Sequence, residues 1–117
     1  MGRERVGVVA DVRRFDIWLV NLDPMQGSET RKTRPCVVVS PDEMNRHIRT
    51  VIIAPMTSRR RDYPTRVDLT FQRTRGQVVL DQIRTVDKSR LTRKLGHLSE
   101  VRARAVAGIL VEMFSHA

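Results

Sequence analysis

The sequence contains one cysteine, Cys36, which excludes an internal disulfide framework and a thiolate zinc cage. Its three histidines, His47, His97 and His116, are scattered without the spacing that a metal site needs. Glycine-rich phosphate loops are missing, since neither G-x-x-x-x-G-K nor G-x-G-x-x-G occurs, and no serine sits in a G-x-S-x-G turn. Only 4% of residues are aromatic, which leaves few platforms for base stacking. Long hydrophobic runs are lacking as well. The longest, Val37–Val39 and Val51–Met56, fall far short of the roughly 20 residues of a membrane span. Val6 to Ala10 is too short for an export segment of about 7–15 apolar residues. These absences lead to the expectation of a soluble, cytoplasmic protein with no metal, no cofactor and no membrane partner.

What is present in excess is positive charge. The 117 residues, about one small domain, carry 22 Lys plus Arg against 13 Asp plus Glu, a net +9. Only Lys32, Lys88 and Lys94 are lysines, so 19 of the 22 basic residues are arginines. An isoelectric point of about 11.3 implies an anionic partner, and nucleic acid leads for a small basic chain. Arginine contacts phosphate bidentately and stacks on bases. A GC-rich genome would favour the same Arg-to-Lys ratio. An acidic protein would be attracted to the same surface.

Along the chain, residues 1–14 show no period and read as a flexible N-terminal extension, with the domain proper at 15–117. Asp16–Leu22 alternates as a strand, and 25–33 is a polar loop. Pro35–Ser40 and Thr50–Met56 are continuous apolar runs, the pattern of strands buried on both faces. Between them a short helix starts at Pro41-Asp42-Glu43, with Asp42 or Ser40 as its cap. Thr65–Phe71 alternates, Arg73–Gly76 reads as a turn, and Gln77–Val86 as one long strand. From Ser99, the stripe Val101, Ala105, Val106, Ile109, Leu110, Met113 and Phe114 repeats every 3.6 residues. The expected fold is mainly β (α+β): a small barrel of about five to seven strands closed by a C-terminal helix.

Three groups of residues carry potential chemistry. Gly27-Ser28-Glu29 is followed by Arg34-Pro35, a carboxylate and a guanidinium at the mouth of a strand; the alternative is a loop salt bridge. Thr57-Ser58 emerge from a buried strand directly into Arg59-Arg60-Arg61, which suits a phosphodiester or is a solvated charged turn. Asp81, Gln82 and Arg84 are polar positions in an apolar stretch, and alternation alone does not say whether they face a site.

Taken together, these residues resemble the MazF/PemK (Kid-like) family of toxin endoribonucleases of type II toxin–antitoxin systems. The likeness runs from Asp16-Ile17-Trp18-Leu19-Val20 and Leu22-Asp23-Pro24 through Gly27-Ser28-Glu29 and Thr33-Arg34-Pro35. It continues with Pro55-Met56-Thr57-Ser58 and Asp81-Gln82-Ile83-Arg84-Thr85. The resemblance implies an SH3-like, CcdB-type barrel assembled as a homodimer. It also implies metal-independent, sequence-specific cleavage of single-stranded RNA, leaving 2′,3′-cyclic phosphate and 5′-hydroxyl ends and so inhibiting translation. By position it assigns catalytic roles to Glu29, Arg34, Thr57 and Asp81. Ser28, Arg31, Lys32, Ser58, Arg59, Arg60, Arg61, Gln82 and Arg84 then become RNA-binding candidates. An acidic, MazE-like antitoxin, DNA binding together with it and a part in stress responses follow from the same likeness. Phe15 stands where the family usually has a glycine before its first strand.

Two other classes compete: a gyrase poison on the same barrel, working through Met113–His116, and a non-catalytic RNA-binding module. The Glu29, Arg34 and Thr57 trio discriminates against the first, and the scarcity of aromatics against the second.

Overall fold

The computed structural model of the chain describes residues 11–22 and 33–116. Seven antiparallel strands form a half-barrel: β1 (Asp16–Asn21), β2 (Thr33–Val38), β3 (Thr50–Thr57), β4 (Arg66–Phe71), β5 (Thr74–Val79), β6 (Arg84–Asp87) and β7 (Leu91–His97). Helix α1 (Asp42–His47) bridges β2 and β3, and α2 (Glu100–Phe114) ends the fold. None of the helices among the described residues is long and apolar enough to cross a membrane. The strand order is β4-β5-β3-β2-β1-β7, with β6 pairing β3 beside that path.

β3 is the shared member of the two halves. Thr50–Ile53 pair with β6, and Met56 and Thr57 pair with β5, while β2 runs along the other edge through Cys36↔Pro55 and Val38↔Ile53. Pro55, which has no N–H to donate, falls in the gap where β3 changes partner. The continuous apolar runs predict burial on both faces, and β2 and β3 show it. Alternate residues feed two clusters: Val37, Ala54 and Met56 one, and Cys36, Val38, Val51 and Ile53 the other. Burial pushes the Cys36 thiol up to about 12, against the pull of Arg34 and Arg84, so it stays protonated as a small core residue.

The C-terminal helix is capped by Ser99, whose side chain accepts the Arg102 N–H at 3.2 Å. Ala103, Ala105, Val106, Ile109, Leu110 and Met113 pack on the first cluster. Val101 and Phe114, assigned by periodicity to the same stripe, are exposed, so the contact is made by the middle turns only.

Several local expectations are corrected. Val12, placed by sequence in the flexible extension, is 3% exposed within the second cluster, and the Arg14 N–H reaches Asp42 Oδ1 at 2.7 Å. Neither Ser40 nor Asp42 caps α1. Pro41 holds that position without a side-chain bond, because the Ser40 hydroxyl instead donates to Asn45 Oδ1 at 2.6 Å and accepts the Ile52 N–H at 3.0 Å. The stretch 77–86 is not one strand, since Leu80–Gln82 forms a 3-10 turn between β5 and β6. Nor does the β4–β5 turn lie at Arg73–Gly76. It is the two-residue link Gln72-Arg73, with φ of 51° and 69°, a hairpin geometry that favours Asn-Gly. Arg73→Gly is therefore expected to stabilise the fold by about 1 kcal/mol, read as a rise in the urea midpoint at constant slope.

Phe15 has φ 72°, the left-handed region in which a glycine would be unstrained. It is held there from both sides: its N–H donates to Val38 at 2.7 Å and its carbonyl accepts from Leu98 at 3.0 Å. The ring packs on the first cluster beneath the Arg14 guanidinium, which offsets a backbone cost of about 1–2 kcal/mol. Just beyond it, the fully buried Asp16 carboxylate accepts from His97 Nδ1 at 2.9 Å and the Arg13 N–H at 2.9 Å, and pairs with Lys94 at 3.4 Å.

Candidate nucleic-acid interface

The β2–β3 register, extended two residues past Cys36↔Pro55, sets Arg34 opposite Thr57. Both belong to two adjoining clefts. The larger, about 670 Å³, is lined by Arg34, Met56, Thr57, Ser58, Arg59, Phe71, Gln72, Thr74 and Gly76 among others. The smaller, about 400 Å³, is lined by Arg34, Thr57, Arg59, Arg61, Tyr63, Arg66 and Gln82 together with apolar neighbours. Arg34, Met56, Thr57 and Arg59 form the ridge common to both.

Thr57 is the last residue of β3, where the buried strand reaches the surface. Its Oγ1 accepts the Arg59 N–H at 3.1 Å, which orients the hydroxyl and leaves its hydrogen free to donate. Gly76 on β5 packs so closely against this strand end that a Cβ there would lie 2.5 Å from the Thr57 carbonyl oxygen. The following residue, Gln77, is buried and fastens the 58–64 loop. Its amide donates to the Arg61 carbonyl at 2.8 Å and to Asp68 Oδ1 at 2.9 Å, and its oxygen accepts the Arg61 N–H at 3.0 Å.

The arginines divide into two groups. Arg60 pairs with Asp68 at 3.3 Å, and Arg66 holds Asp81 through two bonds of 2.8 and 3.2 Å. The guanidinium groups of Arg34, Arg59 and Arg61 have no carboxylate partner among the described residues. Among the described residues, the clefts thus carry three positive charges with no carboxylate partner beside an oriented hydroxyl. The chemistry of such a surface suits a polyanion along its length, with Arg34 and Thr57 placed to meet one phosphate.

Of the remaining candidates, Ser58 lies in the larger cleft and Gln82 in the smaller. Arg84 sits on β6 opposite Ile53 and lines neither. Ser28, Glu29, Arg31 and Lys32 lie outside the described residues. Asp81 is on the 3-10 turn, outside the lining of both clefts, with Thr65 Oγ1 donating to it at 2.8 Å as well as Arg66. The Arg66 bond, opposed by desolvation and aided by Thr65, holds its carboxyl down to about 2. A group so acidic is a weak proton acceptor and is already ionised at neutral pH. Its stabilising pair is present above the ordinary carboxylate range and lost as pH falls from about 4 through about 2. Urea midpoints across that window should fall for the wild type more than for Asp81→Asn.

Sequence reasoning missed Tyr63, Arg66, Gly76 and Gln77. Gln77 carried a signal, a glutamine opening the run Val78-Val79-Leu80, whereas Tyr63 and Arg66 acquire meaning only through their partners.

Fold and clefts define a small basic half-barrel with a cationic surface at the open end of its central strand. The profile of the family described as PemK-like, MazF-like toxin of type II toxin–antitoxin system matches residues 13–114. The chain belongs to this family. Among solved structures, it is similar to a MazE–MazF complex from Deinococcus radiodurans, with TM-score 0.78, 27% identity and coverage of 91% of this chain and 97% of that one. MazF from the same organism gives 0.74, 27%, 90% and 97%. A mycobacterial endoribonuclease solved with its cognate antitoxin shares the fold at 0.77 with 23% identity, covering 91% and 97%.

Proposed function

We propose that the chain is a metal-independent, sequence-specific endoribonuclease that cuts single-stranded RNA and acts as the growth-arresting toxin of a toxin–antitoxin pair. The observation that carries this reading is the pairing of Arg34, which has no carboxylate partner among the described residues, with the oriented Thr57 hydroxyl, on a ridge between two cationic clefts. The nucleophile is the substrate's own 2′-hydroxyl, so the protein needs neither a nucleophile nor a metal. Glu29 takes the 2′-hydroxyl proton and the 2′-oxygen attacks phosphorus. The bond to the 5′-oxygen then breaks, that oxygen is protonated from water, and a 2′,3′-cyclic phosphate and a 5′-hydroxyl remain. Arg34 stabilises the crowded phosphorane by charge, since a guanidinium holds its protons too tightly to serve as an acid. Thr57 donates to a phosphate oxygen. Asp81 serves as a positioning residue through Arg66.

Ser58, Arg59 and Arg61 follow the RNA backbone on this reading. The family likeness and the net charge support an acidic MazE-like antitoxin closing over the same clefts, and a cytoplasmic homodimer. Light scattering should then report a mass near twice 13.5 kDa.

The test is incubation with a long unstructured RNA in EDTA, with fragment ends mapped and a DNA of the same sequence alongside. Discrete cuts bearing cyclic phosphate, with the DNA intact for want of a 2′-hydroxyl, are expected. Failure to cut transcripts covering all short motifs would overturn the reading.

A further inference from the structure

We propose that Tyr63 is a base-stacking platform in the smaller cleft, held in place by the Arg66 guanidinium over its ring, and that it positions the nucleotide beside the scissile phosphate. The inference rests on the ribonuclease reading above and assigns a residue to one of its subsites.

Tyr63 is the sole tyrosine of the chain and the only aromatic residue lining the smaller cleft. It stands in the same cleft as Arg34 and Thr57. Its ring has the Arg66 guanidinium over it, with Cζ 4.9 Å from the centroid. That guanidinium is not a free surface group. Its side chain is 9% exposed, and its fork is fixed on Asp81, which Thr65 Oγ1 also holds. The Arg66 N–H further donates to the Tyr63 carbonyl at 3.2 Å, so backbone and ring are both anchored to the start of β4.

The result is an aromatic ring backed by an immobilised cation, yet still 51% exposed. A tyrosine kept for packing would be covered. One kept for its hydroxyl would not need a guanidinium locked against its ring. A platform needs a rigid ring with accessible surface beside the backbone-binding groups, and that is the arrangement here. Stacking tolerates every base, so Tyr63 contributes affinity and registers the chain on Arg34 rather than choosing the base. Asp81 and Thr65 then act through Arg66, as positioning residues for the ring.

The experiment separates this assignment from the cleavage reading. Binding of a fluorescein-labelled 2′-O-methyl RNA oligonucleotide, which has no free 2′-hydroxyl and is not cut, is measured by anisotropy. Tyr63→Ala should weaken binding about tenfold or more. Tyr63→Phe, which keeps the ring, should restore most of the loss, and Asp81→Asn should fall between. On ordinary RNA the Tyr63→Ala loss should appear in KM and be restored by Tyr63→Phe. Wild-type affinity in Tyr63→Ala overturns the platform even if the protein cuts RNA. A tenfold loss in Tyr63→Ala rescued by Tyr63→Phe upholds it even if wild type cuts nothing, in which case the cleavage reading falls alone. A wild type that does not bind the oligonucleotide overturns both.

Discussion

Replacing Arg34 by alanine is expected to lower kcat for RNA cleavage by about 100–1,000-fold. Arg34 sits at the start of β2, half-buried, and is common to both clefts, so whichever way an RNA strand runs it passes this guanidinium. Among the described residues it has no carboxylate partner, so none of them offsets its charge toward a bound phosphate. The loss should fall mainly on kcat, because the phosphorane carries more charge than the ground-state diester and feels the cation more strongly. Arg34→Lys keeps the charge but not the planar fork and should recover only part of the rate. Single-turnover cleavage at saturating RNA distinguishes these outcomes. An Arg34→Ala enzyme within threefold of wild type would remove the central electrostatic role.

The second large effect is expected at a residue with no side chain. Gly76→Ala places a methyl group 2.5 Å from the Thr57 carbonyl oxygen, and both the atom it meets and the atoms behind it are backbone. No rotamer change relieves the contact, so β3 and β5 must separate by roughly 0.5–1 Å. Overpacking of this kind costs about 1–3 kcal/mol. The strand end that moves carries Thr57, and a shift of about 1 Å in a positioned catalytic group can cost on the order of 100-fold in rate. Gly76→Ala should therefore lower the urea midpoint and the cleavage rate together. Gly108→Ala, where an added Cβ meets nothing within 4 Å, should do neither.

Gly76 also shows why part of the site was illegible. A glycine among polar residues is a usual mark of a turn, and the sequence predicts one at Arg73–Gly76. Instead the turn uses Gln72 and Arg73 at positive φ, while the glycine lies inside β5, where it permits close approach to Thr57. The strands on either side were readable because alternate residues face two separate clusters. The break at Leu80–Gln82 was not, since a fully buried Leu80 in a 3-10 turn looks the same in sequence as a buried strand residue. Arg34 and Thr57 could be singled out by residue type and by the motif around them. Tyr63 and Arg66 could not, because their arrangement depends on Asp81, which is 15 residues beyond Arg66 in sequence.

β3 has a last consequence. Because this one strand pairs with β6, β5 and β2, alternates between both clusters and ends at Thr57, the described residues offer no seam along which the clefts can part from the rest. Freeing the Thr57 end of β3 means disrupting the strand that joins both halves of the sheet. Amide protons of β3 should consequently exchange with solvent only through global unfolding. Preservation of the Arg34–Thr57 ridge and survival of the fold are, in this protein, a single event.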